Sequence, residues 1–235
     1  MTARLAAIVL AALSVPAACL AQSEAGAAGP ATRPAIVKPP KPIAVPLTWQ
    51  LDIEYEPLRS ILIKLPGMAK PRLFWYLRYT VTNNSDRDHF YVPEFVMYTN
   101  SGQLLRAGRK TPSAVFYAVK RLHNDPLLRT QTSVTRKILL GEDNAKTGVA
   151  IWPDFDAKAG TVDIFIGGLS GETTSIPLPR PVTVTETNWK GEKKLVTKTS
   201  LLLAKTLHLR YEITGEASSR PRTKPRLLKK GWVMR

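Results

Sequence analysis

The chain has 235 residues, of which 34 are Lys or Arg and 18 are Asp or Glu, giving a formal net charge of +16 at pH 7. Hydrophobic residues make up 44% of it, which is ordinary for a globular chain and excludes a wholly disordered one. Cys19 is the only cysteine, so no disulfide can form within the chain and the fold depends on its core.

The first 21 residues have the order of a secretory signal peptide. Arg4 supplies a positive charge, an apolar run extends from Leu5 to Val15, and small residues follow up to Ala21. The apolar run is too short to cross a bilayer about 30 Å thick. We therefore predict cleavage after Ala21, no transmembrane span in the mature chain, and an exported protein that is periplasmic or extracellular.

A second processing route starts from Ala17 and Ala18, which directly precede Cys19 as in the motif at which bacterial lipoproteins are cut and acylated. Pro16 stands where that motif usually has leucine, so the match is poor. Acylation would tether the chain by lipid, whereas cleavage after Ala21 would release it. Release is the prediction, and lipid anchoring at Cys19 is the alternative.

Residues 22–45 are predicted to be a Pro-rich linker, because six prolines lie between Pro30 and Pro46. Proline fixes φ and removes a hydrogen-bond donor, so the segment should be extended and semi-rigid. It would serve either as a stalk that lifts the following domain off a surface or as a disordered leader.

Residues 46–215 are predicted to form one β domain, because their dominant period is two. In LTWQLDIEY and LFWYLRYTVT the apolar residues alternate, and the second run is apolar enough on both sides to be a central strand. Further strand-like runs are EFVMYT, SVTRKILL, GVAIW, TVDIFI, PVTVTET, KKLVTK and KTLHLRYEI. About eight or nine short strands with one short helix favour an all-β, antiparallel β-sandwich.

The stretch YTVTNNSDRDHF contains two aspartates, an arginine and His89, and we interpret it as a turn. Asn and Asp tolerate left-handed backbone conformations and bond to their own turns, whereas Asp86, Asp88 and His89 have neither the spacing nor the glycine of a calcium loop. YTVTNNSDRD resembles the strand-and-turn signature of bacterial extracytoplasmic immunoglobulin-like domains. That resemblance implies a sandwich used for adhesion, assembly or display, and it carries over no catalytic residue.

One helix is predicted in TPSAVFYAVKRLHNDP, with Thr111 as its cap and Pro112 in its first position. Its apolar stripe, from Val115 to Leu122, predicts a lid over one open end of the sandwich. The alternative is a partner-binding helix that presents Lys120 and Arg121.

Catalytic signatures are missing from the sequence, which contains no GxSxG, HExxH or phosphate-binding glycine loop. The three histidines are far apart in sequence, so neither a metal site nor a cofactor is expected. The nearest approach to a carboxylate pair is Asp154 with Asp156, and LLGEDNAKTG, which contains Glu142 and Asp143, is predicted to be a connection rather than a ligand loop. A cryptic hydrolase using these four carboxylates is an alternative to a non-catalytic protein.

The segment VTVTETNWKGEKKLVTK is predicted to be a protruding β-hairpin with Trp189 near its tip, because Lys193, Lys194 and Lys198 make one strand too cationic to be buried. The exposed Trp189 would be an interaction anchor. The alternative is a tip that packs back onto the sandwich.

Residues 216–235 form a basic tail, with seven cationic residues and one acidic residue. Together with the apolar Trp232, its cations could dock reversibly on an anionic surface. The alternative is a final edge strand whose apolar residues pack on the sandwich. The tentative polyanion-binding residues are Arg220, Arg222, Lys224, Arg226, Lys229, Lys230 and Arg235.

These observations favour a non-catalytic exported envelope or surface protein that binds an envelope protein or a glycan. A polyanion or membrane-surface binder acting through the tail is the second class of function, and nucleic acid is not an expected partner. The cryptic hydrolase is the third class.

Overall fold

The computed structural model describes residues 39–43 and 48–235, so the predicted signal peptide, Cys19 and most of the linker lie outside the described residues. The described part is mostly β. Its strands are β1 (Asp52–Tyr55), β2 (Arg59–Ile63), β3 (Arg72–Asn83), β4 (His89–Tyr91), β5 (Glu94–Thr99), β6 (Leu104–Arg106), β7 (Arg129–Thr130), β8 (Arg136–Ile138), β9 (Gly141–Pro153), β10 (Thr161–Gly167), β11 (Thr173–Thr187), β12 (Lys193–Glu212) and β13 (Arg226–Met234). The helices are α1 (Ser113–Leu122), α2 (Gln131–Val134) and a 3₁₀ helix at Ala217–Arg222.

The first sheet is built around β3, as its two apolar faces predict. β1 and β2 both pair with β3 on one side, β9 pairs with it on the other, and the short β7 runs parallel to β9. The β3–β9 register sets Trp75 opposite Trp152. The prediction of a central strand here is confirmed.

The second sheet has the strand order β11-β12-β10-β5-β6, and β13 also pairs with β12. All of its pairings are antiparallel. The runs KKLVTK and KTLHLRYEI, predicted as separate strands, are one strand of 20 residues. β12 can be this long because its first half pairs with β11 and its second half with β10 and β13.

The two sheets share one hydrophobic core. Alternate residues of β3 enter it, such as Leu77 and Val81, together with Ile164 of β10 and Leu207 and Leu209 of β12, all of which are at most 1% exposed. Because successive strand side chains point to opposite faces, each sheet needs only every second residue to be apolar in order to supply this core.

A second apolar cluster lies on the opposite face of the first sheet. Phe74 and Tyr76 of β3 alternate with the core residues and pack with Val115 and Val119 of α1. The helix therefore covers the outer face of the sheet and not an open end of the fold. Its N-cap is Pro112 and not the predicted Thr111, so the helix begins at Ser113, one residue later than predicted, and no side chain caps it.

The turn after β3 is confirmed. Asn83 is fully buried, and its side-chain amide donates to the carbonyl oxygens of Arg87 (2.9 Å) and Ile138 (3.1 Å). Its Oδ1 accepts a hydrogen bond from the Ser85 N–H at 3.2 Å. These bonds fix the chain reversal through a side chain in the way that Asn residues do in turns.

Two predicted segments adopt other structures. SVTRKILL contains the end of α2 and the short strand β8, because Thr130 caps α2 by accepting from the Ser133 N–H at 3.2 Å. LLGEDNAKTG, predicted to be a connection, contributes Gly141–Gly148 to the long strand β9. Sequence alternation is weak there because residues 141–147 are exposed or half-buried, so neither face of this part of β9 has to be apolar.

The described end of the linker is held against the second sheet. Lys205 and Glu172, both buried, form an ion pair at 2.9 Å. Glu172 also accepts from the Ile43 N–H, and the Lys205 ammonium donates to the Ile43 carbonyl oxygen at 3.1 Å. A buried charge pair needs its remaining hydrogen-bonding capacity satisfied, and the Ile43 backbone supplies part of it.

Within the described residues, no helix has the length and apolar character needed to cross a membrane.

Candidate functional site

The predicted basic tail is part of the second sheet. β13 pairs antiparallel with β12 from Lys205↔Met234 to Glu212↔Arg226. Met234 is 4% exposed and Trp232 packs partly buried against the core, with the Lys205 ammonium 5.5 Å from its ring centroid. Residues 226–234 therefore form the final strand that the alternative prediction described.

Arg220 is not available to an anionic ligand, which corrects its assignment as a polyanion-binding residue. It is 1% exposed, and its guanidinium donates to the carbonyl oxygens of Phe155 (2.8 Å), Asp156 (2.7 Å), Ala157 (3.1 Å) and Ala159 (3.0 Å). These carbonyls converge because the loop after β9 wraps around the guanidinium. Arg220 therefore ties the 3₁₀ helix to that loop.

The other predicted polyanion-binding residues are exposed but divided among different surroundings. Arg226 is paired with Glu212 at 2.7 Å, and the Lys230 ammonium lies 5.2 Å from the centroid of the Tyr55 ring. The Arg235 guanidinium lies 4.2 Å from the centroid of the Phe165 ring on the outer face of the second sheet. The tail cations therefore do not converge on one site. The exposed ones are Arg222, Lys224, Arg226, Lys229, Lys230 and Arg235.

The predicted hairpin is the most exposed part of the fold. We use the name "ribbon" for Val182–Thr187 of β11, Lys193–Lys198 of β12 and the turn between them. No ribbon residue is buried, and only Val184 and Val196, which pair with each other, are half-buried. A register shift between Pro177 and Val182 separates the ribbon from the part of β11 that belongs to the main sheet. The ribbon therefore has two faces open to solvent.

Trp189 stands at the ribbon tip and is 90% exposed, so the exposed-tip prediction is confirmed. The turn is closed by the Gly191 N–H, which donates to the Asn188 carbonyl oxygen at 3.0 Å. Gly191 has φ +84°, a conformation that glycine adopts without strain. The Lys190 ammonium lies 5.1 Å from the centroid of the Trp189 ring, so a cation and an aromatic group share the tip.

Lysines follow directly along β12 from this tip. Lys193, Lys194 and Lys198 are all exposed, and Lys198 forms an ion pair with Glu186 at 2.7 Å. Glu192 at the turn accepts a hydrogen bond from the Asn188 side chain at 2.6 Å. The tip thus presents an aromatic ring surrounded by mostly positive charge.

The four candidate catalytic carboxylates are not gathered in one place. Asp154 accepts hydrogen bonds from the Trp75 indole N–H (2.8 Å) and from Arg220 (3.3 Å). A hydrogen bond from the Lys158 N–H lowers the pKa of Asp156. Glu142 and Asp143 are exposed neighbours on β9, so their side chains point to opposite faces. Asp154 and Asp156 thus act as hydrogen-bond acceptors for the loop that holds Arg220.

A polar cluster that the sequence did not suggest surrounds Arg78 of β3. Its guanidinium donates to Glu56 at 2.6 Å, to His123 Nδ1 at 2.9 Å and to Asp125 at 2.8 Å, and His123 Nε2 lies 3.0 Å from the Tyr76 hydroxyl. Because arginine only donates, His123 Nδ1 must accept, and Nε2 carries the proton. Burial and the Arg78 charge lower the pKa of His123. The cluster joins α1 to the first sheet.

The three histidines occupy separate environments. His89 stacks on Trp49 with ring centroids 4.3 Å apart, and His208 Nε2 lies 2.6 Å from Asp163 Oδ1. Among the described residues, no group of three or more His, Cys, Asp or Glu side chains is arranged to hold a metal ion.

A cavity of about 420 Å³ lies beside the N-terminus of α1. Phe116, Val149 and Ile151 form its apolar side, and Arg109 is the charged residue in its lining. None of the candidate binding or catalytic residues predicted from the sequence lines it.

The fold and these surfaces define an all-β protein with an exposed cationic and aromatic hairpin. No protein-family model matches the sequence, no curated protein is significantly similar to it, and no solved structure has a significantly similar fold.

Proposed function

We propose that the protein is a non-catalytic, exported binding module built on an immunoglobulin-like β-sandwich, and that it docks on another envelope component through the ribbon tip. The signal-peptide pattern of residues 1–21 supports export. The two sheets that share a core, antiparallel except for the short β7, support the sandwich.

The observation that carries the docking function is the 90% exposure of Trp189. A tryptophan contributes a large apolar area, and binding surfaces concentrate their energy in such residues. The ribbon has no packed face, and a two-stranded hairpin alone is only marginally stable in water. A partner that covers the tip would bury the indole and stabilise the hairpin at the same time.

The charges around Trp189 indicate the chemistry of that partner. Lys190, Lys193 and Lys194 are exposed beside it, so the partner should offer acidic groups next to an apolar contact. Acidic envelope proteins and acidic glycans have this character. Because charges at the rim of an interface act mainly on association rate and specificity, the binding should weaken as salt rises.

A second candidate is binding to an anionic surface through the tail, supported by the exposure of Arg222, Lys224 and Lys229. It needs no pocket, because clustered cations attract a polyanion without shape complementarity. This function would tolerate loss of Trp189, whereas docking through the tip would not.

Cosedimentation with isolated envelope fractions tests the proposal. We expect the wild-type chain to sediment with them, and we expect Trp189→Ala to reduce its affinity at least about tenfold, as for an interface hot spot. Phe90→Ala is the matched control, because Phe90 is also an exposed aromatic residue, at 67%, but belongs to β4. Equal binding of Trp189→Ala and wild type would reject docking through the tip. If a triple Ala variant at Arg222, Lys224 and Lys229 then lost binding, the second candidate would replace it.

A further inference from the structure

We propose that the outer edge of β11 at Val182–Thr187 pairs with the same edge of a second copy of this chain, joining two ribbons into a four-stranded antiparallel sheet. This goes beyond the proposed docking function, because it uses the backbone edge of the ribbon and not its tip. The argument rests on which backbone groups face outward, how the two ribbon edges differ, and whether the sequence can pair with itself.

The outward-facing groups follow from the hydrogen bond that closes the hairpin. The Asn188 N–H donates to the Glu192 carbonyl oxygen at 3.0 Å, so these two residues form a hydrogen-bonded pair. Hydrogen-bonded and non-bonded pairs alternate in an antiparallel ladder. The next pair, Thr187↔Lys193, is therefore non-bonded, as are Thr185↔Leu195 and Thr183↔Thr197. The N–H and C=O groups of Thr183, Thr185 and Thr187 point away from β12.

No strand of the described part of the chain pairs with this edge, because β11 is the outermost strand of its sheet. The six residues from Val182 to Thr187 are two valines, one glutamate and three threonines at alternate positions, so the segment has high β-propensity. Such an exposed edge is a template for another strand. The unpaired edge is therefore competent for intermolecular pairing.

The neighbouring edges carry features that prevent pairing, whereas this one does not. Prolines occupy the alternate positions 177, 179 and 181 of β11, and proline has no N–H to donate. Lys193, Lys194 and Lys198 lie on β12, and charged residues protect a strand edge. Between Val182 and Thr187 there is no proline, and the one charged residue is Glu186.

A second copy fits this edge because the segment can pair antiparallel with an identical segment. With a two-fold axis at Thr185, Thr183 lies opposite Thr187 of the copy, and about six backbone hydrogen bonds can form. Threonine pairs across strands are favourable. Glu186 lies opposite Val184 of the copy, so the two Glu186 side chains do not face each other.

The lysines do not oppose this arrangement. In the four-stranded sheet the two β12 strands lie on the outside, about 14 Å apart at the usual strand spacing. That separation exceeds the Debye length of about 8 Å at physiological salt, so repulsion between the two sets of lysines is screened. Lys198 is in addition neutralised by Glu186 of its own ribbon.

Sedimentation velocity on the mature chain over a range of concentrations tests this pairing. We expect wild type and Thr185→Val, which keeps the outward N–H, to shift from monomer to dimer as concentration rises. Thr185→Pro removes that N–H without removing a ladder hydrogen bond, and its dissociation constant should rise at least about tenfold. A second measurement is hydrogen exchange: the amides of Thr183, Thr185 and Thr187 should become protected only at dimer concentrations.

Unchanged thermal unfolding and an unchanged far-UV spectrum would show that Thr185→Pro retains its fold. A wild-type chain that remains monomeric would overturn the proposal, and so would a Thr185→Pro variant that dimerises as wild type does. Loss of dimer in Thr185→Pro with envelope binding intact would support edge pairing and leave docking through Trp189 standing. Conversely, a Trp189→Ala variant that dimerises but no longer binds the envelope would show that the dimer does not depend on docking through the tip.

Discussion

Arg220 illustrates at the residue scale how burial changes the role of a charge. In the sequence it belongs to a run of cations, but in the fold its guanidinium is 1% exposed, donates to four carbonyl oxygens and lies 4.5 Å from the centroid of the Phe155 ring. Arginine suits this position because its planar group carries five donors. Its function is to hold a loop, and its neighbour Arg222 remains on the surface.

Replacement of Arg220 should therefore destabilise the fold. Arg220→Met would leave buried carbonyls of the 155–159 loop without a donor, and we expect the free energy of unfolding to fall by about 3 kcal/mol. Arg222→Met is the control and should change it by less than about 0.5 kcal/mol. Urea unfolding measures both values. Similar small losses in the two variants would show that the Arg220 contacts contribute little.

His123 should make the stability of the fold depend on pH. Its lowered pKa means that the folded chain binds the proton less readily than the unfolded chain, whose histidines titrate at about pH 6.5. The free energy of unfolding should therefore be fully retained above about pH 6.5 and should fall as the pH drops below it. Burial of the imidazole disfavours its charged form, and a proton on Nδ1 would in addition face the Arg78 guanidinium.

Urea unfolding of wild type and His123→Gln between about pH 7.5 and pH 5 isolates this contribution, since the other two histidines are present in both chains. We expect the stability advantage of wild type over the variant to shrink as the pH falls. A constant difference across the range would exclude His123 as the titrating group.

At the scale of elements, β13 and the ribbon differ in burial, although both carry basic residues and both involve β12. β13 inserts Met234 into the core and pairs along the second half of β12. The ribbon contains the first residues of β12, which pair with β11, and no ribbon residue is buried. The same strand is a structural element at one end and an exposed arm at the other.

Stability measurements should separate these two elements. Met234→Ala should reduce the free energy of unfolding by about 2–4 kcal/mol, because it leaves a space in the core. Replacing residues 182–198 by a two-residue Asn-Gly turn should change it by less than about 1 kcal/mol, because no ribbon residue is buried. A large loss from shortening the ribbon would mean that it supports the fold and is not an independent arm.

At the scale of the whole molecule, the first sheet is covered on both faces. One face meets the second sheet and the other meets α1, and this explains why β3 has buried residues in both registers between Phe74 and Leu77. The second sheet has one core face and one polar face, on which Asp163 contacts His208 and Arg210. Its strand β10 therefore alternates strictly between buried and half-buried residues.

The sequence by itself determined much of the strand content. Alternation identified β1 and β10, an apolar β-rich run identified β5, and the two-sided apolar pattern identified β3 as central, because these patterns report which faces are buried. It also identified the exposed Trp189, since lysines on a short hairpin strand keep that strand in solvent. These features depend on the pattern of neighbouring residues, which can be seen in the sequence itself.

Only the tertiary structure decided the roles of individual charged residues and the position of the helix. Arg220 meets its acceptors more than 60 residues earlier in the chain, and Arg78 meets His123 and Asp125 more than 40 residues later. Whether a cation lies on the surface or is buried depends on such distant partners, and a local pattern contains no information about them. For the same reason the sequence predicts α1 over an open end of the sandwich, whereas its apolar stripe packs on the outer face of β3.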